Sequence, residues 1–292
     1  MSAAYRQFLD LTIQHLEGLK ARGARFVSVS SDTLAAAVAP LPRAAAKPAP
    51  PHRPIVAAVP VEAPIAPAGA ACSDIPSTRG TSLGREARES AMAELRGRAM
   101  GCGKCPHLAA SRKNVVFGVG DMHSPLLFVG EAPGLEEDQQ GEPFVGKAGQ
   151  LLTRIIETMG FTRNTVYIAN ILKCRPDTPG RSSGNRKPTV EEMATCLPYL
   201  LEQIDLIQPR VIVALGATAV EGLFGLKEPI SRLRGQWREF RLVPVMPTFH
   251  PAYLLRNEAR NEKRKVWEDM LQVMERLGCP ISEKQRGYFQ IR

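Results

Sequence analysis

The 292-residue sequence is short of several things that would place it in a specialised class. No apolar run reaches the roughly 18–20 residues of a membrane span, so no membrane association is expected. The start of the chain lacks the basic segment, apolar core and small-residue cleavage site of a secretory leader. A cytoplasmic protein is therefore expected, nucleoid-associated in a prokaryote. No internal repeat is visible, which excludes a solenoid or array. Acidic residues are the minority charge: 29 Asp+Glu stand against 38 Lys+Arg, a net +9. That excess favours a polyanionic partner without identifying one. At 44% hydrophobic and 23% charged, the composition is that of an ordinary globular protein.

What is present divides the chain into three. Residues 1–32 form the first region, in which 1–22 suit a short amphipathic helix with Tyr5, Phe8, Leu9, Leu16 and Leu19 on one stripe. Such a helix is marginal alone, so its stripe needs a docking surface on the main domain or on a protein partner. Residues 33–82 read as an extended Pro/Ala-rich linker, since ten of the 24 prolines fall between Pro40 and Pro76. Cys72 inside it is an uncommitted thiol. From 83 to 292, strand and helix signals alternate after a polar helix at 83–100. Strands are expected at 126–129, 166–172, 211–215 and 242–246. Helices are expected at 148–159, 189–207, 217–224 and 261–277. The alternation predicts an α/β fold, a parallel sheet covered by helices on both faces.

The folded part is organised around residues 130–146. This stretch leaves an apolar strand and enters an amphipathic helix, which places it at the carboxyl edge of a sheet. Gly130, Gly134 and Gly146 with Pro133 and Pro143 set its path, and it presents several carboxylates and the single ring of Phe144. Two further stretches leave strand ends in the same sheet. Asn170 interrupts an apolar strand; a buried amide must be hydrogen-bonded or costs about 1–3 kcal/mol. It suits the Watson–Crick edge of a base, or it ties two loops together. His250 precedes Pro251, which holds it extended and lets it point into a crevice or rest as a satisfied loop residue. Leu254, Leu255 and Arg256 follow, an apolar wedge beside a cation, the chemistry for filling a gap in a base stack while holding phosphate.

Of six cysteines, four form a distinctive set: Cys102 and Cys105 as Cys-x-x-Cys, then Cys174 and Cys196 as distant singles. Four thiolates bind zinc or an iron–sulfur cluster. Zinc sites usually show two close pairs, and separated singles are compatible with a cubane. The alternative is a redox pair at 102–105 with two ordinary buried thiols. Cys279 stands apart and reads as structural.

Together these stretches resemble the iron–sulfur uracil-DNA glycosylases of family 4. The motifs are the Cys-x-x-Cys, GEAPGLEEDQQGEPFVGKAGQLL at 130–152, NILKCRP at 170–176, NRKP at 185–188, Cys196 in a Glu-rich helix, VIVALGATA at 211–219 and TFHPAYLLR at 248–256. The resemblance spans residues 98–275 in order. It implies a three-layer αβα fold with a four-stranded parallel sheet, and a structural 4Fe–4S cluster on Cys102, Cys105, Cys174 and Cys196. It further implies that Gly130 and Ala132 lie in the backbone contacting a flipped uracil, that Phe144 stacks on the base and that Asn170 reads its N3–H and O4 edge. His250 would hydrogen-bond O2, while Glu131 and Glu137 share water handling and site geometry.

The implied activity is monofunctional removal of uracil from single- and double-stranded DNA in base excision repair, by a monomer. A non-catalytic iron–sulfur nucleic-acid-binding module is the alternative, and a zinc protein a third. Two departures stand out. The 177–184 loop is longer than the family's usual link, and the first hundred residues have no counterpart in short members. The related branch that becomes trapped on uracil carries Gln where Ala132 stands and a basic insertion after the phenylalanine motif; neither is here, so turnover is expected.

Overall fold

The computed structural model describes residues 84–177 and 185–290. The expected N-terminal helix, the Pro/Ala-rich linker with Cys72, and residues 178–184 lie outside these.

Every residue of strand β2 (Leu126–Gly130) is buried, as is every residue of β4 (Val211–Leu215). Such continuous apolar runs suit strands covered on both faces. With β3 (Tyr167–Asn170) and β6 (Val243–Thr248) they form a parallel block in the order β3-β2-β4-β6. Val129 pairs with Ala169 and Gly130 with Asn170, so the glycine-rich segment and the strand amide emerge side by side. Thr248 pairs with Leu215 at the same edge.

The sheet has six strands rather than the four expected. Two short antiparallel strands cap its edges, β1 (Val119–Gly120) on β3 and β5 (Arg238–Phe240) on β6. Their brevity hides them from any periodicity reading. The β5–β6 hairpin also lacks the usual glycine or asparagine signal: Arg241 and Leu242 both take positive φ, 51° and 64°. Leu242, expected inside a strand, is thus an exposed turn residue.

Side chains alternate across the sheet into two cores. Leu127, Val129, Ile212 and Ala214 face a layer containing α1 (Arg85–Met100), α5 (Val190–Ile207) and α6 (Ala217–Phe224). Leu126, Phe128, Val211 and Val213 face α4 (Lys147–Thr158) and α9 (Arg260–Leu277). This is the expected αβα sandwich. Phe128 is fully buried in the second core, where truncation to alanine costs about 3–5 kcal/mol. Helix α5 begins on a capping box, with the Thr189 hydroxyl accepting from Glu192 N and the Glu192 carboxylate accepting from Thr189 N.

The remaining helices are short: α2 (Pro106–Ser111), α3 (Leu135–Gln140), α7 (Ile230–Leu233), α8 (Pro251–Arg256) and α10 (Glu283–Arg286). Two of them, α3 and α8, follow the motif-bearing loops that leave β2 and β6.

Candidate active site

The carboxyl ends of β2, β3 and β6 open into a crevice of about 420 Å³, within the ~300–1,000 Å³ typical of small-molecule sites. Glu131, Ala132, Glu137, Phe144, Asn170, His250 and Arg256 all line it. Residues from loops that lie more than a hundred positions apart therefore meet at one place.

The loop after β2 is held by its own acid. Glu137 Oε2 accepts from Gly134 N at 3.0 Å, and Oε1 accepts from Val145 N and Gly146 N at 3.1 and 3.2 Å. Both oxygens are committed to the backbone, so Glu137 closes the 134–146 loop and is a positioning residue. Glu131 faces the crevice with its carboxylate unpaired among the described residues.

Phe144 takes φ 56°, a costly conformation for an aromatic residue. Two contacts maintain it. Arg163 donates to Phe144 O at 3.1 Å and to Pro143 O at 2.8 Å. Helix α4 approaches so closely that a Cβ on Gly149 would lie 1.8 Å from Phe144 O. The Phe144 ring stacks near the His250 ring, centroids 5.5 Å apart. Gly130 floors the same space: a Cβ there would sit 2.4 Å from Asn170 Oδ1 and 2.6 Å from Phe144 Cζ.

Asn170 is buried, and its Oδ1 has no hydrogen-bond partner. The amide is therefore not tying two loops through that oxygen, which is itself buried beside Gly130 while the residue lines the crevice. His250 is the N-cap of α8, its Nδ1 accepting from Ala252 N at 3.1 Å. With Nδ1 the acceptor, the neutral ring carries its proton on Nε2. Burial, with the Arg256 charge second and Glu137 opposing, pushes the imidazole down to about 4. At neutral pH it is an uncharged N–H donor.

The three residues expected to form the wedge, 254–256, divide between packing and surface. Leu254 is buried with Phe249 and Val266, inside the packing beneath α8, because a helix of this register turns it inward. Leu255 is exposed, and Arg256 reaches the crevice. Pro176, Asn185 and Arg186 form a further wall that residue-by-residue reasoning did not assign. Arg175 Nε donates to Asn185 Oδ1 at 2.8 Å, and Arg186 is held by the buried Glu192 carboxylate, which also meets His107 Nε2 at 2.6 Å. The NRKP run was the available signal. Gly149 carried none beyond its place in the 130–152 motif, and Arg163 lies outside every motif.

The four cysteines lie near enough to influence one another's ionisation. Cys174 and Cys196 are buried, and Cys102 and Cys105 are partly exposed. Burial pushes the Cys196 thiol up to about 11 and also raises Cys105 and Cys174, and neighbouring thiols of the set add to each shift. Arg112 Nη1 donates to Cys174 Sγ at 3.2 Å and Nη2 to Cys102 O at 2.7 Å, while Lys173 N donates to Cys196 Sγ at 3.2 Å. Among the described residues no three or more His, Cys, Asp or Glu side chains are arranged for one metal ion. A cubane offers four separate irons, so its thiolates need not converge on a point. The donor set, four soft sulfurs with N–H donors aimed at two of them, fits such a group.

An αβα sandwich with an unpartnered amide, an N–H donor and an aromatic ring in one crevice at its strand ends has the groups needed to hold a flat, hydrogen-bonding heterocycle. Residues 117–271 match the family described as the uracil DNA glycosylase superfamily. A type-4 uracil-DNA glycosylase of Thermotoga maritima is 46% identical over 187 residues, covering 63% of this chain and 93% of that protein. Those of Pyrobaculum aerophilum and Archaeoglobus fulgidus are 43% and 42% identical, over 56% and 58% of this chain and 85% and 88% of theirs. The chain belongs to the type-4 uracil-DNA glycosylases. No helix among the described residues is long and apolar enough to cross a membrane.

Proposed function

We infer that this protein hydrolyses the N-glycosidic bond of uracil in DNA, leaving an abasic site for repair. The observation that carries the reading is the buried, partnerless Oδ1 of Asn170 in the crevice that also holds the neutral His250 ring. A protein that only binds nucleic acid gains nothing from an unpaired buried acceptor, which costs about 1–3 kcal/mol.

With the nucleotide turned out of the duplex, the base lies against Phe144. Asn170 Oδ1 accepts from N3–H and its Nδ2 donates to O4. Cytosine presents an acceptor at N3 and a donor at position 4, so both contacts fail and the base is rejected. As the bond from C1′ to N1 breaks, its electron pair passes to uracil and charge gathers on O2. His250 Nε2–H donates there, and a neutral donor fixed by the Ala252 N contact needs no reorganisation. The sugar develops oxocarbenium character, which the Glu131 carboxylate stabilises while orienting the water that adds to C1′. Glu137 keeps the loop shaped around these groups. Arg256, at the mouth, is placed to meet backbone phosphate.

Cys102, Cys105, Cys174 and Cys196 hold a 4Fe–4S cluster in this reading. When bound, the cluster ties the start of the domain, the loop after β3 and helix α5 to one another, a structural rather than electron-carrying role. Buried, proton-loaded thiols must release protons to bind it.

The test is uracil release from labelled single-stranded, U:G, U:A and T:G oligonucleotides. Release from the three uracil substrates is expected, and His250→Ala should slow it sharply. Wild-type rates in both His250→Ala and Asn170→Ala would exclude this crevice as the site.

A further inference from the structure

Behind the crevice, where none of the groups above reach, lies a buried charged pair. Asp269 of α9 is fully buried and receives Arg234, through Nε at 3.0 Å and through a second contact from Nη2. Arg234 Nη2 also donates to Lys265 O at 2.6 Å, and its guanidinium lies 6.0 Å from the Phe249 ring centre. The remaining donor to Asp269 is Thr248, whose Oγ1 sits 2.6 Å from Oδ2. Thr248 is the last residue of β6, also buried, and its carbonyl accepts from Gly216 N at 2.9 Å. Pro247 O accepts from Gly235 N at 3.1 Å.

The two residues that precede His250 are thus both braced by this pair, Thr248 by a hydrogen bond and Phe249 by the overlying guanidinium. His250 has little freedom beyond them. Its φ and ψ are −68° and 138°, Pro251 follows, and Nδ1 is used as the cap of α8. The direction of the Nε2–H is set by where β6 ends. A packed hydrophobic side chain would support the strand without fixing that end to a point; a buried carboxylate with three donors does so. Burial pushes the Asp269 carboxyl up to about 6 against the pull of Arg234 and Thr248, so near neutral pH it is the acceptor these contacts require.

We propose that Arg234 and Asp269, acting through Thr248, are positioning residues that aim the His250 N–H at the uracil oxygen where charge develops. This rests on the role given to His250 above. They touch neither base nor water; they act only through the imidazole.

The experiment is a double-mutant cycle on single-turnover uracil release from single-stranded DNA. Thr248→Val keeps the shape and removes the donor. A misaimed catalytic group costs up to about a hundredfold in rate, and we expect a loss of that order with unchanged affinity for abasic-site DNA. Thr248→Ser, which keeps the hydroxyl, should restore most of the rate. In a His250→Ala background, Thr248→Val should cause no further loss, because the group it aims is gone. The imidazole ¹⁵N signals should show the Nε2–H tautomer in the wild type and a mixture in Thr248→Val.

A loss of equal size with and without His250, or unaltered imidazole signals beside a slowed rate, would overturn the proposal. If Thr248→Val does not fold, Asp269→Asn enters the same cycle with the same criteria. A wild-type rate in His250→Ala alone would instead overturn the role of His250, a distinct result.

Discussion

Replacing Asn170 by alanine separates recognition from stability. A buried asparagine with all its partners costs about 1–3 kcal/mol to truncate, most of it from groups left unpaired. Here Oδ1 has no partner to lose. The stability lost should therefore be at most about 1 kcal/mol, a fall in Tm of roughly 2–4 °C for a domain of this size. The effect on catalysis runs the other way. Two hydrogen bonds to the base disappear, each worth about 1–3 kcal/mol in a dry site, or about 2–6 kcal/mol together. That is a fall in kcat/KM between about 30-fold and about 10⁴-fold. Single-turnover release of uracil, measured beside thermal unfolding, reads both quantities. An intact rate would show that the amide does not read the base, and a large drop in Tm accounting for a lost rate would show that it serves the fold; either would refute the reasoning.

Other consequences follow from the same geometry. Gly149→Ala places a methyl group against Phe144 O and must displace the ring; KM for uracil-DNA should rise by about 5- to 150-fold, the value of one base–aromatic stack of ~1–3 kcal/mol. Steady-state kinetics with an unchanged KM would show that the loop yields without moving the ring. The His250 base is depressed from 6.5 to about 4, so its neutral form, and the stability that form contributes, is complete above pH 6.5 and lost as pH falls through 4. The rate should accordingly stay level from about pH 7 to about pH 5, and an inflection near 6.5 that vanishes in His250→Ala would contradict this. Cys196→Ser should abolish the brown absorption of anaerobically purified protein and lower its unfolding temperature; colourless wild-type protein without iron would remove the cluster from the account. Because the buried thiols hold their protons, iron should be lost more readily as pH falls, which chelator titration at several pH values measures.

The central sheet and its covering helices were legible because their signals are local. Five successive buried residues in β2 and in β4 require strands covered on both faces, and the helices that cover them carry their own apolar stripes. The edge strands β1 and β5 were not legible, since two or three residues carry no period and the Arg241-Leu242 turn lacks its usual residues. The chemistry-bearing side chains could likewise be picked out one at a time: an amide in an apolar strand, a histidine before proline, acids and a ring among glycines. Their division of labour could not. That Glu137 spends both oxygens on the backbone while Glu131 keeps its own open depends on how the 134–146 loop closes. That Leu254 packs inward and Leu255 outward depends on the register of α8 against Phe249 and Val266. The supports of the site, Arg163 beneath Phe144 and Asp269 beneath Thr248, come from other elements and touch what they hold only after folding. Sequence by itself determined which groups this protein possesses and the layers that carry them, because burial patterns and turn residues act over a few neighbours. Tertiary structure alone decided which of those groups remain unpaired and face one another, because a hydrogen bond is satisfied or left open by partners far away in the chain.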